Sequence, residues 1–152
     1  HHPEGDALEH TLHCLDALAN NEEWRQRPSM ERGILMLAVL THDVGKATHT
    51  QVHEDGRVTS YGHDEGGVPI AQEFLEDLRA PKVYSHRIVP LVRHHMAHAR
   101  AKHVAPSPES ARRLAHALHP SNHKDLGLVM YADIHGRPGR TPSMAMADRV
   151  IE

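Results

Sequence analysis

The sequence predicts an all-α bundle of about five to seven helices. Apolar residues recur at helical spacing in one segment after another, no stretch alternates apolar and polar residues as a half-buried strand does, and serine, asparagine, proline and glycine stand where helices start and stop. At 152 residues the chain is near the usual size of one domain and can bury a core without disulfides. A single domain is expected over residues 1–142, with 143–152 as a tail or the start of a further segment.

The first helix is expected from about Asp6 to Asn20, where Leu8, Leu12, Leu15 and Ala19 recur behind Pro3 and a possible cap at Asp6, and it carries His10. The polar stretch from Asn20 to Pro28 reads as a loop. Ser29 can then cap a second helix whose interior, Ile34 to Leu40, is apolar all round and belongs in the core. That helix runs into His42-Asp43 and should end at Gly45, and Thr48 to Tyr61 reads as a polar loop long enough to be a lid. A third helix follows Gly62-His63 with Val68, Ala71, Leu75 and Leu78 on one face, and Pro81 marks its end. Val83 to Met96 is a fourth, which Pro90 should kink or split just before His94-His95. Ser107-Pro108-Glu109 starts a fifth, with Leu114, Ala115 and Leu118 facing inward. A last core helix spans about Asn122 to Ile134 and stops at Gly136; Arg137 to Pro142 is a loop and Ser143 to Glu152 a short helical tail.

Composition excludes several classes. With 17 Lys+Arg against 20 Asp+Glu there is no global basic footprint for nucleic acid, and one Phe, one Trp and three Tyr are few for stacking single-stranded bases. No apolar run approaches the roughly 20 residues that cross a bilayer, so no membrane partner is expected. Cys14 is the lone cysteine and reads as a small core residue in a reducing, cytoplasmic setting. The outlier is histidine, at 17 residues. Neutral imidazole is the commonest protein metal ligand. His1 and His2, which could belong to an appended tag, are left out of that reading.

Asp133 follows Leu126, Val129 and Met130 on its helix, which puts its carboxylate on the buried face. A buried carboxylate needs a partner, either a metal or an arginine such as Arg137. His42 and Asp43 emerge behind Ala38, Val39 and Leu40, where water is scarce, and Gly45-Lys46 adds a cation for an anionic substrate. His10 lies on the face of Cys14 and Ala17. Alone it would more often be structural; its value comes from the constellation. His63, His94 and His95 could supply a second metal, contact phosphate or donate a proton, or some of them could face solvent, as His98 and His103 are expected to.

In the order His10, His42-Asp43, Asp133, these residues resemble the four-ligand signature of the HD-domain metal-dependent phosphohydrolases over nearly the whole chain. Within that superfamily His2-Pro3-Glu4-Gly5-Asp6, His42-Asp43-Val44-Gly45-Lys46, Gly62-His63-Asp64 and Ala132-Asp133-Ile134-His135-Gly136-Arg137 are similar to the HD domain attached to bacterial CCA-adding tRNA nucleotidyltransferases. The nucleotidyltransferase head itself, with its Gly-Ser motif and paired aspartates, has no counterpart here, so an excised or standalone HD domain is expected. The cyclic-di-GMP phosphodiesterase branch differs in having a glutamate where this chain has Met96, and in a Gly-Tyr-Pro string; the alarmone hydrolases carry Glu-Asp downstream of His-Asp, near where Gly45-Lys46 stands.

The resemblance implies an HD-type helical bundle and a divalent metal (Mn, Ni, Co, Fe, Mg or Zn) held by His10, His42, Asp43 and Asp133. It implies phosphomonoesterase or phosphodiesterase activity on nucleotides, 2′,3′-cyclic phosphates or RNA ends. Asp43, Lys46, His63 and His94 are then the catalytic candidates, Lys46 and Arg137 the substrate-binding ones, and His63, His94 and His95 the second-metal or phosphate set. The partners implied are a phosphorylated small molecule or RNA end and a nucleotidyltransferase domain. The competing readings are a non-catalytic tRNA- or nucleotide-binding domain, with Arg112-Arg113 and the Arg137 to Arg140 loop gripping phosphates, and a nucleotide sensor using the same site.

Overall fold

The computed structural model describes residues 7–97, 99 and 107–137. The expected cap Asp6, the expected tail over 143–152, His98 and His103 lie outside these residues, as does the loop beyond Arg137. The described chain is an all-α bundle: α1 (Ala7–Ala19), α2 (Glu22–Arg25), α3 (Ser29–Thr41), α4 (Lys46–His49), α5 (His63–Asp77), α6 (Lys82–His94), α7 (Pro108–Leu118) and α8 (His123–His135). Helix α3 is central, packing against α1, α6 and α8, while α1 lies along α8 and α5 along α6. Leu18, Ile34, Leu35, Leu75, Ile88, Leu91, Leu118, Leu126 and Met130 are fully buried between them.

Several starts and stops follow the expected chemistry. Asn122 caps α8 by accepting from the Lys124 and Asp125 amides, and the Asp125 carboxylate in turn accepts from the Asn122 amide. Ser107 caps α7 through the Ser110 amide, with Pro108 in the first turn.

Other expectations are corrected. The buried stripe of α1 is His10, Thr11, Cys14 and Leu18, whereas Leu8 and Leu12 are exposed, because the helix turns its polar histidine and thiol toward α8. Ser29 makes no cap; it is the first residue of α3, behind Pro28, whose carbonyl accepts from the Arg32 amide. The expected loop between α1 and α3 contains the single turn α2, capped by the Asn21 side chain and pinned where the Trp24 indole donates to the Arg32 carbonyl. Pro90 does not split α6. The helix is continuous across it because Ile88, Leu91 and Val92 are all buried, and packing outweighs one missing backbone bond. The expected polar loop after Lys46 holds α4 and a small antiparallel hairpin, Gln51–Val52 (β1) with Val58–Thr59 (β2). Strands of two residues are too short to show alternation.

Glycine at two positions sets how closely elements meet. A Cβ on Gly45 would collide with the His63 carbonyl and the Gly67 backbone, so the turn after His42-Asp43 can press against the start of α5 only without a side chain. Gly136, ending α8, would drive a Cβ to 2.7 Å from the Cys14 backbone nitrogen of α1. Both contacts lie beside the polar centre of the bundle.

Candidate metal centre

Five elements deliver one buried cluster. His10 comes from the middle of α1, His42 and Asp43 from the turn ending α3, His63 from the first position of α5, His95 from the residue after α6, and Asp133 from the last turn of α8. All six are buried.

Three of the imidazoles are oriented by main chain. His42 Nδ1 donates to the Val39 carbonyl at 2.6 Å, His63 Nδ1 to Ser60 at 2.6 Å, and His95 Nδ1 to Val92 at 2.7 Å. A carbonyl only accepts, so each of these rings carries a proton on Nδ1 and turns its Nε2 into the cluster. His63 and His95 aim those nitrogens at one another, 3.1 Å apart. Two ring nitrogens so placed favour a cation between or beside them.

The carboxylates supply the complementary charge. Asp43 has two distinct sides: Oδ1 lies 3.2 Å from His63 Nε2 and 3.6 Å from His95 Nε2, while Oδ2 lies 3.3 Å from His42 Nε2 and 3.7 Å from His10 Nε2. Asp133 Oδ1 accepts from His10 Nε2 at 3.0 Å and from the Arg137 guanidinium at 2.9 Å. Burial alone would raise the Asp43 pKa, but the His42 charge beside it, with the His63 and His95 rings on its other side, holds it well below the usual carboxylate range. The same contest, won by His10, His42 and Arg137, keeps Asp133 ionised. Burial lowers the His95 pKa, with the His42 charge adding to that, so its ring stays neutral.

Two sets of donor atoms result, each able to hold an ion: His10, Cys14, His42 and Asp133, and beside them Asp43, His63 and His95. The fit to a metal rests on the His42 ring, which is fully buried, spends Nδ1 on the backbone and leaves Nε2 with no hydrogen-bond partner. An orphaned buried nitrogen is costly unless a cation or proton meets it.

Of the expected site residues, His10, His42, Asp43, Asp133, His63 and His95 are brought together. Lys46 reaches Asp43 Oδ2 at 2.6 Å. Arg137, one turn beyond Asp133, lies against its carboxylate, so the arginine partner and the histidine partners coexist. His94 is the last residue of α6, half-buried, and belongs to neither donor set. Cys14 was legible only as core; its i,i+4 spacing from His10 was the signal that it faces the cluster. Beside Asp43 and Lys46 opens a groove of about 380 Å³, walled by Ala7, Leu8, Thr11, Leu40, Val44, Ala47 and Thr50. It is large enough for part of a small ligand.

The family model of the HD domain matches residues 8–134, from the first turn of α1 through Asp133. The chain belongs to the HD-domain family. This HD domain is 36% identical over 145 residues to the multifunctional CCA protein of Halorhodospira halophila, covering 94% of this chain and 32% of that protein. It is 42% identical over 91 residues to the CC-adding tRNA nucleotidyltransferase of Thermus thermophilus, covering 59% of this chain and 20% of that one. The HD domain thus spans a third or less of the length of these curated relatives. No solved structure matches it. Among the described residues no helix is long and apolar enough to cross a membrane.

Proposed function

We propose that this HD domain is a metal-dependent phosphohydrolase acting on nucleotides, 2′,3′-cyclic phosphates or RNA ends. The observation that carries the reading is the inward aim of three backbone-anchored Nε2 atoms around two ionised carboxylates, with Lys46 and a groove at the rim. His10, His42, Asp43 and Asp133 hold the divalent ion, and the two-sided Asp43 carboxylate links that set to His63 and His95. Mixed imidazole and carboxylate donors suit Mn, Fe, Co, Ni or Zn. An ion so held supplies polarisation of a phosphoryl oxygen and a bound water of lowered pKa.

The chain's own groups do the rest. Asp43 and Asp133, kept ionised, fix the charge balance of the centre. Lys46, at the rim and 11% exposed in its side chain, swings from Asp43 to a phosphate oxygen and offsets charge as it develops. His63, its Nδ1 committed to Ser60, has only Nε2 with which to take or give a proton, and that atom serves the leaving oxygen. Arg137 holds Asp133 and, partly exposed, reaches the same anion from the other side.

The second reading is a tRNA- or nucleotide-binding domain without turnover, favoured by the name of the Thermus thermophilus relative, a CC-adding tRNA nucleotidyltransferase. Metal content of the purified chain, beside Asp43→Asn and Asp43→Ala, separates the two when each is assayed with added Mn or Ni on p-nitrophenyl phosphate, its bis ester and 2′,3′-cyclic AMP. Bound metal and turnover that both disappear in the variants support the hydrolase; metal without turnover on any of the three moves the conclusion to the binding domain.

A further inference from the structure

Cys14 lies where a core alkyl side chain would serve if packing were its only task. It is fully buried, four residues from His10 on the inner face of α1, with its Sγ 3.4 Å from His10 Nε2. Two ligands sharing a tetrahedral metal, one at about 2.3 Å through sulfur and one at about 2.0–2.1 Å through nitrogen, stand about 3.5 Å apart. The Cys14 Sγ, the ring nitrogens of His10 and His42 and an Asp133 oxygen all lie within 4.8 Å of one another.

An independent observation points into the same space. The His42 ring is buried and tied to Val39 through Nδ1, and its Nε2 makes no hydrogen bond although Asp43 Oδ2 stands at 3.3 Å and Asp133 Oδ1 at 3.8 Å. That nitrogen belongs to the donor set containing the thiol. Gly136 completes the arrangement: a Cβ there would meet Cys14 Sγ at 2.5 Å, so the end of α8 closes over the sulfur and leaves it facing the cluster.

We infer that Cys14 is a sulfur ligand of the metal centre, joining His10, His42, Asp43 and Asp133, so that a thiolate sulfur stands beside the two ring nitrogens and the carboxylate oxygens. The inference rests on the metal reading proposed above and adds to it a metal preference. On coordination the thiol gives its proton to solvent and the thiolate sulfur donates to the ion. A soft donor selects zinc, cobalt, iron(II) or nickel and disfavours magnesium and manganese, for which oxygen ligands are better partners.

Cobalt(II) titration of the full chain reads the sulfur directly. Visible d–d bands report cobalt in the site, and an intense near-ultraviolet sulfur-to-cobalt charge-transfer band reports a Co–S bond. The expected result is both bands in the unaltered chain and loss of the near-ultraviolet band alone in Cys14→Ser and Cys14→Ala. In the same variants zinc affinity falls by more than the roughly 10–100-fold that an outer hydrogen-bond partner is worth, while manganese affinity changes far less. The d–d bands without charge transfer in the unaltered chain overturn the thiolate ligand and leave the metal centre standing. No cobalt bands at all, with circular dichroism showing the helices intact, overturn both.

Discussion

Gly136→Ala tests whether the approach of α1 to α8 builds the centre. A Cβ at this position meets the Cys14 nitrogen at 2.7 Å and Cα at 2.9 Å. Ordinary contact begins near 3.4 Å, so α1 must retreat by about 3.4 − 2.7, or roughly 0.7 Å, since backbone atoms cannot rotate away as a side chain can. Forcing an extra methyl into such a contact costs about 1–3 kcal/mol. In a chain of this size that lowers Tm by roughly 2–12 °C, at about 2–4 °C per kcal/mol. The retreat also parts His10 from Asp133, which stand 3.0 Å apart on these two helices, so metal retention should fall with stability. Gly33→Ala is the internal control. It places a Cβ 3.7 Å from the Tyr84 hydroxyl, in ordinary contact, inside α3, where alanine should gain about 0.5–1 kcal/mol. Thermal melts of both variants, with metal analysis of each after dialysis, check the pair. If Gly136→Ala melted with Gly33→Ala and kept its metal, the account of that helix contact would be refuted.

Lys46→Met should lower turnover by about 10²–10³-fold with metal content unchanged, because it removes a charge beside the phosphate and no ligand; steady-state kinetics on the bis ester beside metal analysis would decide it, and metal loss would show Lys46 to be structural. Asp125→Asn should cost about 3 kcal/mol, since the fully buried carboxylate accepts from Arg27 at 3.3 Å and Arg87 at 3.3 Å, and both guanidinium groups would lose their buried anion and keep only the more exposed Glu23 and Glu31. Denaturant melts should show that loss while the cobalt spectrum of the folded variant stays as it was, the network standing apart from the metal ligands. Burial alone would lower the His42 pKa, but Asp43 and Asp133 push it up to about 10 from 6.5. In chelator, this histidine's stabilising proton is therefore fully present below about pH 6.5 and lost as pH rises toward 10, so melting temperatures should fall across that window; a rise would sink the assignment. Metal must displace the same proton, and its binding should tighten over the same range.

Much of this arrangement was legible in the chain. Asp133 announced itself because Leu126, Val129 and Met130 share its face, and a carboxylate on such a face must be partnered. His42-Asp43 stood out because an all-apolar helix empties into them. Helix ends were readable wherever a side chain makes the cap, as at Asn122 and Ser107, and misread where packing decides, as at Pro90 and along α1. There the sequence offered a leucine stripe, and the fold buried a histidine and a thiol instead. Which of His94 and His95 turns inward depends on a rotation of about 100° at the end of α6, beyond what periodicity fixes near a helix terminus. The hairpin was invisible because two-residue strands carry no pattern.

The carbonyls that hold His42, His63 and His95 belong to residues three positions earlier in the chain, Val39, Ser60 and Val92. Their side chains play no part in those bonds, and any amino acid at those places presents the same oxygen. Ring orientation is thus written into the path of the main chain. The surrounding sequence can drift widely without unsettling the donors, and only a change that reroutes the backbone, or removes an imidazole itself, reaches them.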